Sequence, residues 1–192
     1  MRWLIPFSDI HSGHKLGLLN PATVLEEEDQ QGDVRAWTPK LGAYQEYLWA
    51  LFMRNAEAAA TTIGEDRAVV ICNGDVTQGM RYQDLWVSTR LSDQIEIAVW
   101  NLQALLEAVP QVDVLRICVG TPSHEFGMGS APRLVAKQLA VMFPKVDIKV
   151  VSHGLLDIDG VTVDVARSSP GDRKSKRLNS SPGKLTRMPS SA

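Results

Sequence analysis

The apolar run Ala68-Val69-Val70-Ile71-Cys72 constrains this chain more than any other feature. Five apolar residues in succession, three of them β-branched, leave no polar face for water. Such a run suits a strand covered on both faces, the usual setting of a parallel sheet with layers packed against it. It ends at Asn73-Gly74-Asp75, a turn signal. DVLRICVG at 113–120 and VDIKVVS at 146–152 have the same strand character, and RWLIPF at 2–7 predicts a strand almost at the N-terminus.

Helical patterns separate these strands. Over 41–63, Tyr44, Leu48, Leu51, Phe52 and Ala59 recur at three- and four-residue steps, with Gly64 as a stop. Over 84–109 the stripe is Leu91, Ile95, Ala98, Leu102, Leu105 and Val109, with Pro110 just past its end. A third helix is predicted at 131–143, and a strand pair turns at Asp159-Gly160. Strands alternating with helices predict an α/β layered fold. Residues 12–40 read as a long polar connection, with the acidic run Glu26–Asp29 on a solvated face.

Composition narrows the function classes. At 44% hydrophobic and 22% charged, the 192-residue chain has the balance of a globular protein. A net charge of −2 offers no whole-chain attraction to nucleic acid or membranes. No apolar run approaches the roughly 20 residues of a membrane span, and the N-terminus is too short in apolar residues for a signal peptide, so a cytoplasmic location is expected. Cys72 and Cys118 each end an apolar run and read as buried free thiols.

After Ala166 the hydrophobic period stops. Residues 172–192 hold six basic side chains and one acidic one, a balance of +5 that leaves −7 on the rest. One reading is a basic, disordered arm for nucleic acid. The preferred reading is that DRKSKRLNSS at 172–181 and RMPSSA at 187–192 resemble a translated sequencing adapter, which makes 167–192 a non-native tail to be set aside from the fold at 1–166.

Three short motifs stand where α/β folds place chemistry, after the C-terminal ends of predicted strands. They are Ser8-Asp9-Ile10-His11, Asn73-Gly74-Asp75 and Gly120-Thr121-Pro122-Ser123-His124-Glu125. Asp9 and His11, two residues apart on an extended chain, point to one side and can reach one cation. Asp75 arrives from a neighbouring strand end, where a carboxylate can lie between two cations. Mixed nitrogen and oxygen donors suit Mn, Fe or Zn. No glycine-rich phosphate loop is present, and without Gly-x-Ser-x-Gly the adjacent Ser123 and His124 make a poor hydrolase pair.

In this order the motifs resemble the opening of the calcineurin-like metallophosphoesterase family, in the wording of its phage and prophage branch. The resemblance covers about residues 1–166. It implies a four-layer α-β-β-α sandwich, incomplete at the C-terminus, and hydrolysis of a phosphodiester or phosphomonoester by water activated between two divalent cations, with manganese favoured. The implied substrate is a phosphate ester, with DNA or a nucleotide favoured by the phage-like wording. Asp9 and His11 would hold one metal, Asp75 would bridge, and His124 would contact the scissile phosphate. Ser123 stands where the family has a metal-binding Asn, which weakens that ligand. His14, Gln78 and Arg81, with Tyr82 beside them, are placed to touch substrate. The family's later metal histidines have no counterpart, since no histidine follows His153. His153 itself, before the hairpin, is expected at a turn. The alternative to an active enzyme is an inactive fragment or a binding protein on the same fold.

Overall fold

The structure, a computed structural model, describes residues 1–166 apart from 82, 89 and 127–129. The tail expected at 167–192 lies outside the described residues. Four strands, β1 (Arg2–Phe7), β4 (Arg67–Cys72), β5 (Val112–Cys118) and β6 (Asp147–Val151), form one parallel sheet in the order β1-β4-β5-β6. Three helices, α1 (Ala43–Ile63), α2 (Leu91–Ala108) and α3 (Ser130–Met142), flank it. Two antiparallel hairpins complete the described chain: β2 (Leu25–Glu28) with β3 (Val34–Trp37), and β7 (His153–Ile158) with β8 (Val161–Ala166).

The apolar run behaves as its composition requires. Ala68, Val70 and Cys72 join the helices in the main core, while Val69 and Ile71 pack with Ile158 and Val165 of the β7–β8 hairpin. Alternate residues of β4 thus face opposite layers, and all five are buried. Each such Val or Ile contributes roughly 1.5–3 kcal/mol by leaving water. β1 is an edge strand, where Pro6, lacking an amide hydrogen, is tolerated. Its outer face stays open, as the exposed Leu4 shows.

Helix α2 lies at the centre, with ten buried residues. It begins at Leu91 rather than 84, because Gln83–Leu85 form a short 3-10 turn and the chain enters the helix through an extended Arg90. The 12–40 connection is not wholly irregular. It contains β2–β3, with Glu26, Glu27 and Glu28 exposed on β2 and Asp29 accepting the amides of Gln31 and Asp33 at the turn. The β7–β8 turn has positive φ at both Asp159 (52°) and Gly160 (83°), the geometry that two-residue hairpins favour. Cys72 and Cys118 are both buried. No helix among the described residues is long and apolar enough to cross a membrane.

Candidate metal centre

Because β1, β4 and β5 run parallel in adjacent positions, the loops that follow them emerge at one edge of the sheet. The loop after β1 does not run free. Asp9 N–H donates to Gly74 O (3.2 Å), His11 N–H to Asp75 O (3.0 Å) and Ser12 N–H to Val76 O (3.1 Å). These bonds extend the β1–β4 pairing past the strand ends and fix the first two motifs against each other.

The backbone conformation differs from the extended one the Asp-x-His spacing predicts. Asp9 (φ 57°), His11 (φ 43°) and Asp75 (φ 45°) all adopt left-handed conformations. Asp and His tolerate this region better than most residues, so the cost is roughly 1 kcal/mol each, at the low end of backbone strain. Strain persists where the surroundings over-determine it, and here the inter-loop amide bonds do so.

His11, Asp75 and His124 each present a ligand-type atom, and the three atoms lie within 4.8 Å of one another. His124 Nε2 is 4.0 Å from Asp75 Oδ2. The His11 and His124 rings meet edge to face, with centroids 4.5 Å apart. Asp9 Oδ1 stands 3.9 Å from His11 Nε2 and is more exposed than the other three, its carboxylate also accepting the Ser8 hydroxyl. Donors around one cation, each about 2.0–2.2 Å from it, lie at most about 4.4 Å apart. Small side-chain rotations would therefore let His11, Asp75 and His124 share an ion, and two imidazoles with a carboxylate suit Mn, Fe or Zn.

The neighbours orient these donors. Asp75 is almost fully buried, and its Oδ1 accepts from Thr121 N–H (2.7 Å) and the Thr121 hydroxyl (3.3 Å), leaving Oδ2 toward His124. His124 Nδ1 lies 2.5 Å from Gln78 O. A carbonyl only accepts, so Nδ1 carries the hydrogen and Nε2 of the neutral ring offers a lone pair to the cluster. His14 has the opposite arrangement: its Nδ1 accepts from Leu16 N–H (2.9 Å), so the neutral ring presents Nε2–H. Burial, then the neighbouring His11 and His124, holds the His14 pKa below its ordinary value. Glu125 Oε1 accepts Gly120 N–H (2.8 Å), and burial pushes its carboxyl above the ordinary range against the pull of backbone donors.

The remaining sequence candidates fall in different places. Ser123 sits on the His124 turn, its carbonyl against Gly79, where an added Cβ would meet it at 2.5 Å. Gln78 is buried and lines the cleft beside the cluster. Arg81 is exposed, accepts from the Gln78 amide through its carbonyl (3.4 Å) and does not line that cleft. Tyr82 lies outside the described residues. His153 is the first residue of β7 rather than a turn residue, and it pairs with Asp164 (2.8 Å) on the exposed hairpin.

Sequence reasoning passed over the polar residues that brace the site. Gln94 accepts Gly79 N–H (2.8 Å) and donates to Gly79 O (3.1 Å). Asn101 donates to Ser12 Oγ (3.0 Å) and Leu18 O (2.9 Å) and accepts Asn20 N–H (2.8 Å). Both are buried in α2, seven residues apart and so on one face. Two uncharged polar residues at that spacing inside an apolar helix are a readable signal. Thr77, fully buried, ties its hydroxyl to His124 O (3.0 Å). Gly120 is required by contact, since a Cβ there would meet Asp75 Oδ1 at 2.5 Å.

No known protein family, curated protein or solved structure matches the chain.

Proposed function

We propose that this protein is a metal-dependent phosphoesterase with its centre at His11, Asp75 and His124. The observation that carries the reading is the 4.8 Å grouping of those donors at the C-terminal edge of a parallel sheet. Asp9, 3.9 Å from His11, would extend the donor set to a second cation, with Asp75 available to both. Manganese suits these donors, with iron or zinc as substitutes. The fold supports the same reading: helices cover one face of the sheet, and the β7–β8 hairpin covers the other as the start of a further layer of a metallophosphoesterase sandwich.

When bound, divalent cations would neutralise phosphate oxygens and acidify the attacking water. The chain's own groups do the rest. Thr121 holds Asp75 with one oxygen toward His124. Gln78 O accepts from His124 Nδ1–H, so Nε2 of the neutral ring is left to serve as a ligand, and a ring engaged at both nitrogens holds no proton for a leaving oxygen. His14 offers Nε2–H to a phosphate oxygen. The water oxygen forms the new bond to phosphorus as the bond from phosphorus to the ester oxygen breaks, and the proton that the water loses is made good on the departing oxygen through solvent.

A second reading, metal binding without turnover, draws on one observation: the described residues group three donors, enough for one cation rather than two. The test is manganese-dependent hydrolysis of bis-p-nitrophenyl phosphate and p-nitrophenyl phosphate. Asp75→Asn, which keeps the shape and the Thr121 acceptor, is expected to abolish turnover and weaken manganese binding. Manganese binding without hydrolysis selects the second reading. Hydrolysis unaffected by Asp75→Asn removes the centre from both.

A further inference from the structure

Helix α1 carries an apolar stripe that the core does not consume. Only Gln45, Ala56 and Ile63 of its 21 residues are buried. Leu48 and Phe52 lean on the core cluster, whereas Tyr44 and Leu51 stand outside it, with Tyr44 52% exposed. These four side chains line a cleft of about 600 Å³ that is continuous with the candidate centre, because Asp9, His11, His14 and His124 line it too.

Charge decides what class of substrate this shape takes. Among the described residues lining the cleft there is no Lys or Arg, and Asp9 is its single carboxylate. A nucleic-acid strand brings one phosphate per nucleotide and is held chiefly by basic side chains and backbone amides. A small ester with one phosphate needs only the centre for its charge. The remainder of such a molecule gains by covering apolar surface, and the cleft volume falls within the range of small-molecule sites.

Resting on the phosphoesterase reading, we infer that the substrate is a small phosphate ester with an apolar or aromatic organic group. The phosphate lies at His11, Asp75 and His124, and the organic group lies on the Tyr44–Leu51 face of α1. The inference moves the substrate away from the nucleic acid favoured by the motif wording.

The experiment is isothermal titration of the full 192-residue chain, first with manganese, then in its presence with 1-naphthyl phosphate, inorganic phosphate and a short oligothymidylate. Naphthyl phosphate is expected to bind about tenfold or more tightly than inorganic phosphate, from the apolar area its ring covers. In Tyr44→Gln/Leu51→Gln the two affinities should converge, with that for inorganic phosphate unchanged. Both positions lie outside the core cluster, and single Leu51→Gln serves if the double variant loses its helical circular dichroism. Equal affinities in the unaltered chain, a preference for naphthyl phosphate that survives the substitutions, or tighter binding of oligothymidylate overturns the inference. So does concentration-dependent dimerisation that the same substitutions abolish, since a second copy would then be the occupant of α1. Failure to bind manganese removes the phosphoesterase reading and this inference with it, whereas manganese binding without the naphthyl preference removes the inference alone.

Discussion

Replacing Gly120 with Ala tests whether the third motif positions Asp75 by contact. The new methyl would lie 2.5 Å from Asp75 Oδ1, 2.8 Å from its amide nitrogen and 3.1 Å from its Cα. That is about 1 Å inside ordinary van der Waals contact at the carboxylate, and two of the three atoms are backbone. Overpacking of this kind costs about 1–3 kcal/mol. The easiest relief is to rotate the Asp75 carboxylate off Thr121, which sacrifices a hydrogen bond to a charged group worth about 1.5–3 kcal/mol. These are alternative routes rather than additive terms, so a loss of about 2–3 kcal/mol is expected, or roughly 5–10 °C for a domain of this size. Manganese affinity should fall about 10–100-fold, as when an outer-shell partner of a ligand is lost. The internal control is Gly154→Ala, where the nearest atom to an added Cβ is Val151 Cγ1 at 3.7 Å. Thermal melts and manganese titration of both variants give the answer. A Gly120→Ala protein that melts and binds manganese like Gly154→Ala would refute the contact argument.

Further outcomes are expected elsewhere. Asn101→Leu leaves Ser12 Oγ, Leu18 O and the Asn20 amide without their partner and should cost about 3 kcal/mol or more in denaturant unfolding; a loss under about 1 kcal/mol would show that the brace is not needed. The Cys118 thiol, pushed by burial up to about 11, should resist a disulfide reagent at neutral pH in the folded protein and react once guanidinium unfolds it. For His14 the folded pKa is depressed below 6.5, so as pH falls through that value the unfolded chain takes up a proton the folded chain refuses. Stability should therefore drop on acidification below about pH 6.5, and His14→Gln should flatten that part of the melting-temperature profile; an unchanged slope contradicts the assignment.

The layered α/β architecture was legible because its signals are strong and local. A run with no polar face required two covering layers, and β4 has them. The helix over 41–63 was equally clear as a helix, yet its stripe could not reveal its neighbours. Tyr44 and Leu51 follow the helical period, and nothing in that period distinguishes a face against a sheet from a face against a cleft. The start of α2 was read early, although its apolar stripe begins only at Leu91; before it the chain forms a 3-10 turn at Gln83–Leu85 and an extended Arg90. At the candidate centre, placement after three strands predicts that Asp9, His11, Asp75 and His124 converge; the structure groups a donor atom from each of His11, Asp75 and His124 within 4.8 Å and sets Asp9 3.9 Å from His11. Asp-x-His spacing gave the wrong backbone conformation, because the pairing of the β1 loop with the β4 loop is a long-range event.

That long-range pairing explains how unfavourable local geometry becomes a site. Taken alone, Asp9, His11 and Asp75 would each relax out of the left-handed region. The parallel register that pairs Phe7 with Cys72 delivers the two loops side by side, and three amide-to-carbonyl bonds then lock them. Those bonds fix the backbones but not the height of the loops above α2. Gln94 sets that height for Gly79, and Gly79 in turn packs against the backbone of His124. Asn101 does the same for Ser12, one residue after His11. The His11 loop is thus tied to α2 directly by an uncharged amide, and His124 rests on a Gly79 tied to the same helix in the same way. A buried amide with every partner satisfied rigidifies without adding a charge that would compete for a cation. The face of α2 that holds Gln94 and Asn101 is therefore part of the site's construction, although neither residue touches the cleft's chemistry.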